Sequence, residues 1–265
     1  MTDTTLINSV KARMAADEVA MGLSVRLSRT GDIARIAKAS GHDFLFIDTQ
    51  HSLFSLESIG HIAQTALGCG VAPFVRVRGC DDPDVSLLLD NGVLGIVYPD
   101  VNTADDARKG VQTAKFPPIG ARSVCGGYPH FDYRPVPLKD AVPALNEATM
   151  VVCMIETVEG LKNVEEIAAV DGVDVLHIGS SDLLVNMGMP GQFGVPEHVA
   201  AVERVISAAI NNGKFAGLGG ERDLERQISF IKKGARFMTT QTDMAFLLAA
   251  ATDRTQELRT ALNDA

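Results

Sequence analysis

The segment from Met150 to Leu184 reads MVVCMIETVEGLKNVEEIAAVDGVDVLHIGSSDLL. It contains two short and nearly continuous apolar runs, Met150 to Glu156 and Val173 to Gly179, separated by a helical pattern. A strand, a helix and a second strand form a βαβ unit, and strands that are apolar on both faces are typical of a parallel sheet covered by helices. The segment therefore predicts a parallel α/β fold.

The same alternation extends over the rest of the chain and predicts eight strands in all. The other six are MGLSVRL at Met21 to Leu27, FLFID at Phe44 to Asp48, PFVRV at Pro73 to Val77, GIVYP at Gly95 to Pro99, FAGLG at Phe215 to Gly219 and ARFMTT at Ala235 to Thr240. Helix-start signals stand between them, at Thr103 before ADDARKGVQTA and at Asp82 before PDVSLLLDNG.

Eight such units in 265 residues fit the usual size of a (β/α)₈ TIM barrel, so we predict that residues 1–265 form one α/β domain of this type. A doubly wound open sheet is the alternative. It is disfavoured because no Gly-x-Gly-x-x-Gly pattern follows the first predicted strand.

Composition and charge narrow the classes of partner. Hydrophobic residues make up 46% of the chain and charged residues 22%, as in folded proteins with a large core. No segment approaches about 18 uninterrupted apolar residues, and the polar start lacks a signal peptide's apolar core, so we expect a cytoplasmic protein. The net charge of −9 argues against nucleic acid or an anionic membrane as partner. Four cysteines without C-x-x-C spacing predict reduced thiols.

Two segments depart from the regular spacing. The connection from Phe116 to Ala148 is long and rich in Pro, Gly and aromatic residues, and we predict that it forms a lid or a substrate wall. The last predicted helix, MAFLLAAATDRTQELRTALNDA, begins with a strongly apolar run. This run indicates either a subunit interface or packing in the core of the same chain.

Polar residues at the ends of the predicted strands are the candidates for catalysis, because a barrel of this kind builds its active site there. Asp48 and His51 follow the second strand, Arg76 lies in the third, Glu156 ends the fifth and Asp182 follows the sixth. Each could instead be a paired core residue. Glu156 and Asp182 follow adjacent strands and could supply two oxygen ligands to a divalent cation. A glycosidase acid–base pair is the alternative, but the chain has no Trp and only three Tyr as sugar platforms.

Other polar residues receive weaker assignments. No predicted strand interior contains the lysine that a Schiff-base aldolase requires. Gly217, Gly219 and Gly220 indicate a phosphate cradle or, more simply, a tight turn. His130, in the long connection, is the one further histidine that merits a test. The other four are assigned structural roles: His42, His61, His177 and His198.

A set of segments carries a resemblance to a known family. FIDTQH, FVRV, LLLDNG, PPIGARS, MIETVEGLKNVEEI and IGSSDLL occur in this order and resemble the HpcH/HpaI family of class II pyruvate aldolases over nearly the whole chain. The family includes 2,4-dihydroxyhept-2-ene-1,7-dioate aldolases, 2-keto-3-deoxy sugar acid aldolases and macrophomate synthase. The resemblance implies a barrel of the phosphoenolpyruvate/pyruvate-domain type. It also implies a homohexamer, a trimer of dimers, with the carboxyl-terminal helix exchanged between neighbouring subunits.

The resemblance also implies a metal site and a binding mode. Glu156 and Asp182 would hold Mg²⁺, Mn²⁺ or Co²⁺, with water and a keto acid completing the shell. Arg76 would contact the keto or enolate oxygen. The backbone N–H groups of Ser181 and Asp182 would hold the substrate carboxylate.

For the proton transfer, the resemblance implies that His51 is the general base and that Asp48 orients it. Asp90, in LLLDNG, would support this histidine, within the chain or across a subunit boundary. Met154 and Asp100 depart from common family residues, and so does the Ser180–Ser181 pair. These departures leave the substrate open.

The reaction implied is cleavage of a 4-hydroxy-2-keto acid to pyruvate and an aldehyde through the enolate of pyruvate, and its reversal. Three alternatives remain: decarboxylation of oxaloacetate to the same enolate, CoA-thioester lyase chemistry, and a non-catalytic barrel that binds a keto acid. The aldehyde, the preferred metal and the stereochemistry are not specified by these residues.

Overall fold

The computed structural model describes residues 6–263, in which eight parallel strands close into a barrel in chain order. The strands are β1 (Ala20–Val25), β2 (Phe44–Asp48), β3 (Ala72–Arg76), β4 (Gly95–Tyr98), β5 (Met150–Ile155), β6 (Val175–Gly179), β7 (Phe215–Gly219) and β8 (Ala235–Thr242). All eight predicted strands are confirmed. The pairing of β8 with β1 closes the sheet and excludes the doubly wound alternative.

Helices surround the barrel and follow the strands in sequence. They are α1 (Ser9–Ala15), α2 (Asp32–Ala39), α3 (Leu56–Cys69), α4 (Val85–Asp90), α5 (Ala104–Ala114), α6 (Leu138–Ala148), α7 (Val158–Lys162), α8 (Val164–Ala168), α9 (Ser180–Asn186), α10 (Pro196–Asn211), α11 (Leu224–Lys232) and α12 (Asp243–Asn263). Thr103 caps α5 as predicted, because its side chain accepts the N–H of Asp106. Asp82 does not begin α4; its carboxylate is held by Arg78 and by the N–H of Asp84.

Aromatic rings fill the amino-terminal half of the barrel interior. The rings of Phe44 and Phe237 stack at 4.1 Å, and Phe74 meets Phe237 edge to face at 5.1 Å. A Cβ at Gly22 would overlap the ring of Phe44, and one at Gly95 would overlap Phe74. These two glycines therefore make room for the packed interior, which leaves a cavity only towards the carboxyl ends of the strands.

Helix α1 covers the amino-terminal end of the barrel. Asn8 caps this helix and donates a hydrogen bond from Nδ2 to the Ala148 carbonyl at 2.8 Å. Val10 and Met14 are buried against the interior aromatic cluster. The floor of the barrel is thus closed by the chain itself, and a ligand has to enter from the other end.

Within one chain, residues 116–148 do not form the predicted lid or substrate wall. The segment leads from the end of α5 to the start of β5 and therefore lies at the amino ends of the strands, away from the cavity. It contains a short 3-10 helix, Pro129–Phe131, as well as α6, and it has a small core of its own that includes Phe116, Tyr128 and Leu145. None of its residues lines the cavity at the carboxyl ends.

Helix α12 follows β8 and leaves its apolar residues uncovered. Asp243, at its start, accepts the backbone N–H groups of Arg26, Leu27 and Ser28 and ties the helix to the end of β1. Leu247 and Leu248, by contrast, are 60% and 67% exposed. Packing of this apolar run in the core of the same chain is therefore excluded. Within residues 6–263 no helix is both long enough and apolar enough to cross a membrane.

Candidate active site

A cavity of about 390 Å³ opens at the carboxyl ends of the strands. Its walls include five of the predicted site residues, namely Asp48, His51, Arg76, Ser181 and Asp182. This volume is sufficient for a small organic ligand. The cavity therefore lies at the end of the barrel where the strand-end rule predicts the site.

Asp48 and Arg76 form a buried ion pair across the neighbouring strands β2 and β3. Arg76 donates from Nε to Oδ1 at 3.0 Å and from Nη2 to Oδ2 at 2.7 Å. Burial by itself would raise the pKa of Asp48, but the hydrogen bonds and charge of Arg76 outweigh it and lower that pKa. Arg26, which follows β1, lies 3.2 Å from the same carboxylate. Asp48 therefore carries its negative charge and fixes the Arg76 guanidinium.

The expectation that Asp48 orients the His51 ring requires a correction. The Asp48 carboxylate accepts the backbone N–H groups of Gln50 and His51, each at 3.2 Å, and so shapes the turn after β2. Among residues 6–263 no hydrogen bond joins it to the imidazole. His51 is exposed at the cavity wall. Asp48 therefore positions the backbone of His51, while its carboxylate also binds Arg76.

Glu156 is buried directly after β5, with one satisfied and one unsatisfied carboxylate oxygen. Oε1 accepts the backbone N–H of Asp100 at 2.9 Å, and Asp100 has a left-handed backbone with φ of 51°. Oε2 has no hydrogen-bond partner among the described residues, and a Cβ on the adjacent Gly179 would overlap it. Burial raises the pKa of Glu156 to about 7. A buried carboxylate oxygen without a partner is costly, so it points to a missing ligand.

The second carboxylate, Asp182, lies in the first turn of α9 and lines the cavity. Its charge is close enough to add to the rise in the pKa of Glu156. Within residues 6–263 no group of three or more His, Cys, Asp or Glu side chains could hold a metal ion. The pair fits a hard divalent cation that takes two protein carboxylates and fills its other positions with water and substrate oxygens.

Gly220 lies next to the backbone N–H of Ser181, the residue before Asp182. Gly220 has a φ of 86°, and a Cβ there would lie 3.1 Å from the Ser181 nitrogen. The tight-turn interpretation of this glycine thus holds, and the turn leaves space beside the Ser181 N–H. Carboxylate binding by the amides of Ser181 and Asp182 remains a prediction.

Comparison with known proteins assigns the chain to a family. Residues 25–250 match the model of the family described as HpcH/HpaI aldolase/citrate lyase. The chain belongs to the HpcH/HpaI aldolase/citrate lyase family. It is similar to two proteins named 4-hydroxy-4-methyl-2-oxoglutarate aldolase. That of Chaetomium globosum is 39% identical over 93% of both chains, and that of Hapsidospora irregularis is 38% identical over 92% of both.

A solved HpcH/HpaI aldolase structure from Desulfitobacterium hafniense superimposes with a TM-score of 0.90, at 28% identity, over 96% of this chain and 97% of the other. Aldolases are carbon–carbon lyases, so the present chain is an enzyme of that class. None of its eight strands contains a lysine. The one lysine buried near a strand, Lys115, binds the carbonyls of Asn146 and Thr149 at the other end of the barrel.

In this HpcH/HpaI chain Asp90 lies far from the proposed base. It ends α4, at the amino ends of the strands, and its carboxylate accepts a hydrogen bond from Arg122 at 2.6 Å. His130 lies in the same region and donates from Nε2 to the Val93 carbonyl at 3.2 Å. The structure therefore does not bring Asp90 to His51 within one chain. A role for Asp90 across a subunit boundary remains a prediction.

The cavity residues that were not predicted as site residues include two arginines and a histidine: Arg26, Arg222 and His177. Arg26 follows β1 directly and could have been found by the strand-end rule. His177, assigned a structural role from the sequence, is buried between the rings of Phe46 and Phe237 at 5.8 and 5.6 Å. Burial, followed by the charges of Arg76 and Arg222, lowers its pKa to about 3, so the imidazole is neutral.

Two departures from common family residues also have a structural explanation. Met154 lines the cavity, and its sulfur lies 3.9 Å from Nη1 of Arg76, so it packs against the guanidinium. Asp100 does not line the cavity. Its contribution is the backbone N–H that it donates to Glu156.

Proposed function

We propose that this HpcH/HpaI chain is a divalent-metal-dependent pyruvate aldolase that cleaves 4-hydroxy-2-oxo acids to pyruvate and a carbonyl compound, and catalyses the reverse addition. One observation carries the proposal: the buried Oε2 of Glu156 lacks a partner, and Asp182, whose charge acts on Glu156, lines a cavity that also presents a fixed arginine and a histidine. The names of the two fungal relatives are consistent with this reaction class.

Glu156 and Asp182 would hold the cation, which we expect to be Mg²⁺, Mn²⁺ or Co²⁺. When bound, such an ion would supply Lewis acidity to the carbonyl of a 2-oxo acid. The amides of Ser181 and Asp182 would hold the remaining carboxylate charge at the start of α9. The backbone N–H of Asp100 orients Glu156 for this role.

Arg76 would stabilise the charge that develops on the substrate's keto oxygen as the carbon–carbon bond breaks. Its guanidinium is held by Asp48 before substrate arrives, so little reorganisation is needed during the reaction. His51 would remove the proton of the C4 hydroxyl while the C3–C4 bond breaks, which leaves the enolate of pyruvate. Protonation at C3 then gives the methyl group of pyruvate.

The assembly is part of the proposal. The family resemblance implies a homohexamer, and the exposed apolar residues of α12 would be covered by a neighbouring subunit. Packing of this kind would also allow Asp90 of one chain to approach His51 of another.

Metal dependence is tested with pyruvate release from a 4-hydroxy-2-oxo acid as the assay. Excess chelator should abolish activity, and Mg²⁺, Mn²⁺ or Co²⁺ should restore it. Glu156→Gln and Asp182→Asn should each lower activity at least about 100-fold at metal concentrations that saturate the wild type, and calorimetry should show weakened metal binding. Glu159→Gln, at an exposed position on α7, is the matched control.

Two outcomes would contradict the proposal. Full activity in excess chelator would exclude the metal mechanism. Trapping of a substrate adduct by borohydride would indicate a Schiff-base lysine instead.

A further inference from the structure

The cavity contains one arginine that forms no salt bridge with a carboxylate of residues 6–263. Of its three arginines, Arg26 and Arg76 both pair with Asp48. The third, Arg222, follows β7 and donates from Nη1 to the backbone carbonyls of Glu221 and Thr239 at 3.0 and 3.3 Å. Within residues 6–263 no Asp or Glu oxygen lies within 4.0 Å of its guanidinium.

The acid next to Arg222 is already occupied. The Glu221 carboxylate accepts hydrogen bonds from Nε and Nη2 of Arg226 at 2.8 and 3.1 Å, and from the backbone N–H groups of Arg222 and Asp223. It is buried, and it forms no salt bridge with the Arg222 guanidinium. Glu221 therefore fixes the loop that presents Arg222, and leaves the positive charge of Arg222 available at the cavity mouth.

A buried and unpaired imidazole lies beside this cation. His177 is 1% exposed, and its Nδ1 has no hydrogen-bond partner among the described residues. A Cβ on Gly219 would lie 2.8 Å from Nε2 of His177 and 3.0 Å from Oγ1 of Thr239. Nε2 of His177 and Oγ1 of Thr239 thus lie on either side of Gly219, which has no side chain to separate them. The backbone carbonyl of Thr239 accepts a hydrogen bond from Arg222.

Arg222 and Thr239 belong to a different wall of the cavity from the residues proposed to bind the metal and the pyruvate half of the substrate. The proposed metal carboxylates follow β5 and β6, and Arg76 and His51 follow β3 and β2. Arg222 and Thr239 come from β7 and β8, with His177 in the floor. If the metal, Arg76 and Ser181 hold the carboxylate and keto oxygen of the pyruvate half, then Arg222 and the His177 imidazole remain for the other end of the substrate. The Thr239 hydroxyl, which makes a long 3.4 Å hydrogen bond to the Leu218 carbonyl, lies beside them.

We propose that Arg222, His177 and Thr239 form a second anion subsite, which binds a carboxylate on C4 of the substrate. This inference rests on the proposed aldolase function and specifies its substrate class. The preferred substrates are 4-hydroxy-2-oxo dicarboxylic acids, in which the carbonyl product is itself a 2-oxo acid. A guanidinium, a neutral imidazole and a hydroxyl together offer a positive charge and hydrogen-bonding groups to the two oxygens of a carboxylate.

A pair of substrates that differ only at C4 tests the subsite. 4-Hydroxy-2-oxoglutarate yields pyruvate and glyoxylate, whereas 4-hydroxy-2-oxopentanoate yields pyruvate and acetaldehyde. The wild type should prefer the first in kcat/KM. Arg222→Met should lower kcat/KM for the carboxylated substrate by about 10- to 100-fold, the range for loss of a charge-assisted hydrogen bond, and leave the methyl substrate nearly unchanged. Arg222→Lys should recover part of the preference.

Arg204→Met is the control, since Arg204 pairs with Glu165 on the outer helices, away from the cavity. It should leave the ratio of the two kcat/KM values unchanged. Equal losses on both substrates in Arg222→Met would overturn the subsite, because a purely structural role of Arg222 predicts that result. A wild type that prefers the methyl substrate would overturn it as well.

A binding measurement separates this inference from the aldolase proposal. 2-Oxoglutarate carries a carboxylate on C4, whereas 2-oxopentanoate carries a methyl group there. Neither ligand has to be cleaved, so calorimetry in the presence of Mn²⁺ can compare their affinities. If neither substrate is cleaved, the aldolase proposal fails. The subsite still stands if the wild type binds 2-oxoglutarate more tightly and Arg222→Met loses that difference, and it fails if the wild type binds both equally.

Discussion

Arg76 is held on several sides before any substrate arrives. Besides its two hydrogen bonds to Asp48, its Nη1 contacts the sulfur of Met154, and its guanidinium carbon lies 5.6 Å from the centre of the Phe46 ring. Lysine could supply the charge but not the paired N–H groups in a fixed plane. Preorganisation of this kind is the physical reason to assign transition-state stabilisation to Arg76 and proton transfer to the more exposed His51.

The two roles can be separated by comparing two reactions in two variants. Oxaloacetate decarboxylation and aldol cleavage both produce the enolate, but only cleavage requires removal of a hydroxyl proton. Arg76→Ala should therefore lower both reactions by at least about 100-fold. His51→Ala should lower cleavage by about 10²- to 10⁴-fold and retain decarboxylation better.

Metal affinity, measured by calorimetry, is the control and should be unchanged in His51→Ala. Deuterium exchange into the methyl group of pyruvate gives a third measurement of proton transfer. Equal losses of cleavage and decarboxylation in His51→Ala, with normal metal affinity, would contradict the assignment of His51 as the proton carrier.

At the scale of elements, the strands could be predicted because their information is local. Apolar runs such as Phe44–Asp48 and Phe215–Gly219 have the same bounds in sequence and structure. The connection at residues 116–148 was misjudged because its function was inferred from length and composition. It follows a helix and precedes a strand, so the order of elements already placed it at the amino ends. Pro143 inside α6 concealed the helix.

The candidate site residues also differ in whether their role follows from local sequence or from the fold. Asp48 and Arg76 could be predicted to line the cavity because they lie at strand ends, and their ion pair follows from the adjacency of β2 and β3. The role of Asp100 could not be predicted, because it depends on a left-handed backbone and an N–H rather than on its side chain. Arg222 lies beyond the end of β7, and its free charge becomes visible only when the partners of Glu221 are known.

The connection between α5 and β5 should make stability depend on pH. Burial, with a smaller effect from Arg122, lowers the pKa of His130 to about 4 from the ordinary 6.5. Below about pH 6.5 the unfolded chain gains a proton that the folded chain does not accept until about pH 4. Stability is therefore lost as pH falls through this window, by at most about 1.4 kcal/mol per pH unit.

His130→Gln can keep a hydrogen bond to the Val93 carbonyl without titrating. We expect the fall in Tm between pH 6.5 and pH 4 to be smaller in this variant than in the wild type, as measured by calorimetric melting. His61→Gln, at an exposed position on α3, should melt like the wild type at each pH. An identical pH dependence in wild type and His130→Gln would show that this histidine does not contribute.

At the scale of the whole molecule, charge is separated between surface and cavity. The chain carries a net charge of −9, yet three arginines face the one cavity in which an anionic substrate is proposed to bind. Two of the three share Asp48, so local cations rather than the overall field must capture the ligand. Binding should therefore depend more on Arg76 and Arg222 than on ionic strength.

The state of assembly is the remaining property of the whole molecule, and α12 makes it testable. Burial of each exposed leucine on this helix would contribute about 1.5 to 3 kcal/mol, so a neighbouring subunit gains substantially by covering Leu247 and Leu248. Light scattering should give six times the chain mass of 28.2 kDa. Leu247→Asp combined with Leu248→Asp should shift the protein to smaller species, because two carboxylates would have to be buried. Leu224→Asp is the matched control, since Leu224 on α11 is 68% exposed, and it should leave the mass unchanged. A wild-type mass of one chain, or equal dissociation by both sets of substitutions, would show that α12 is not the assembly surface.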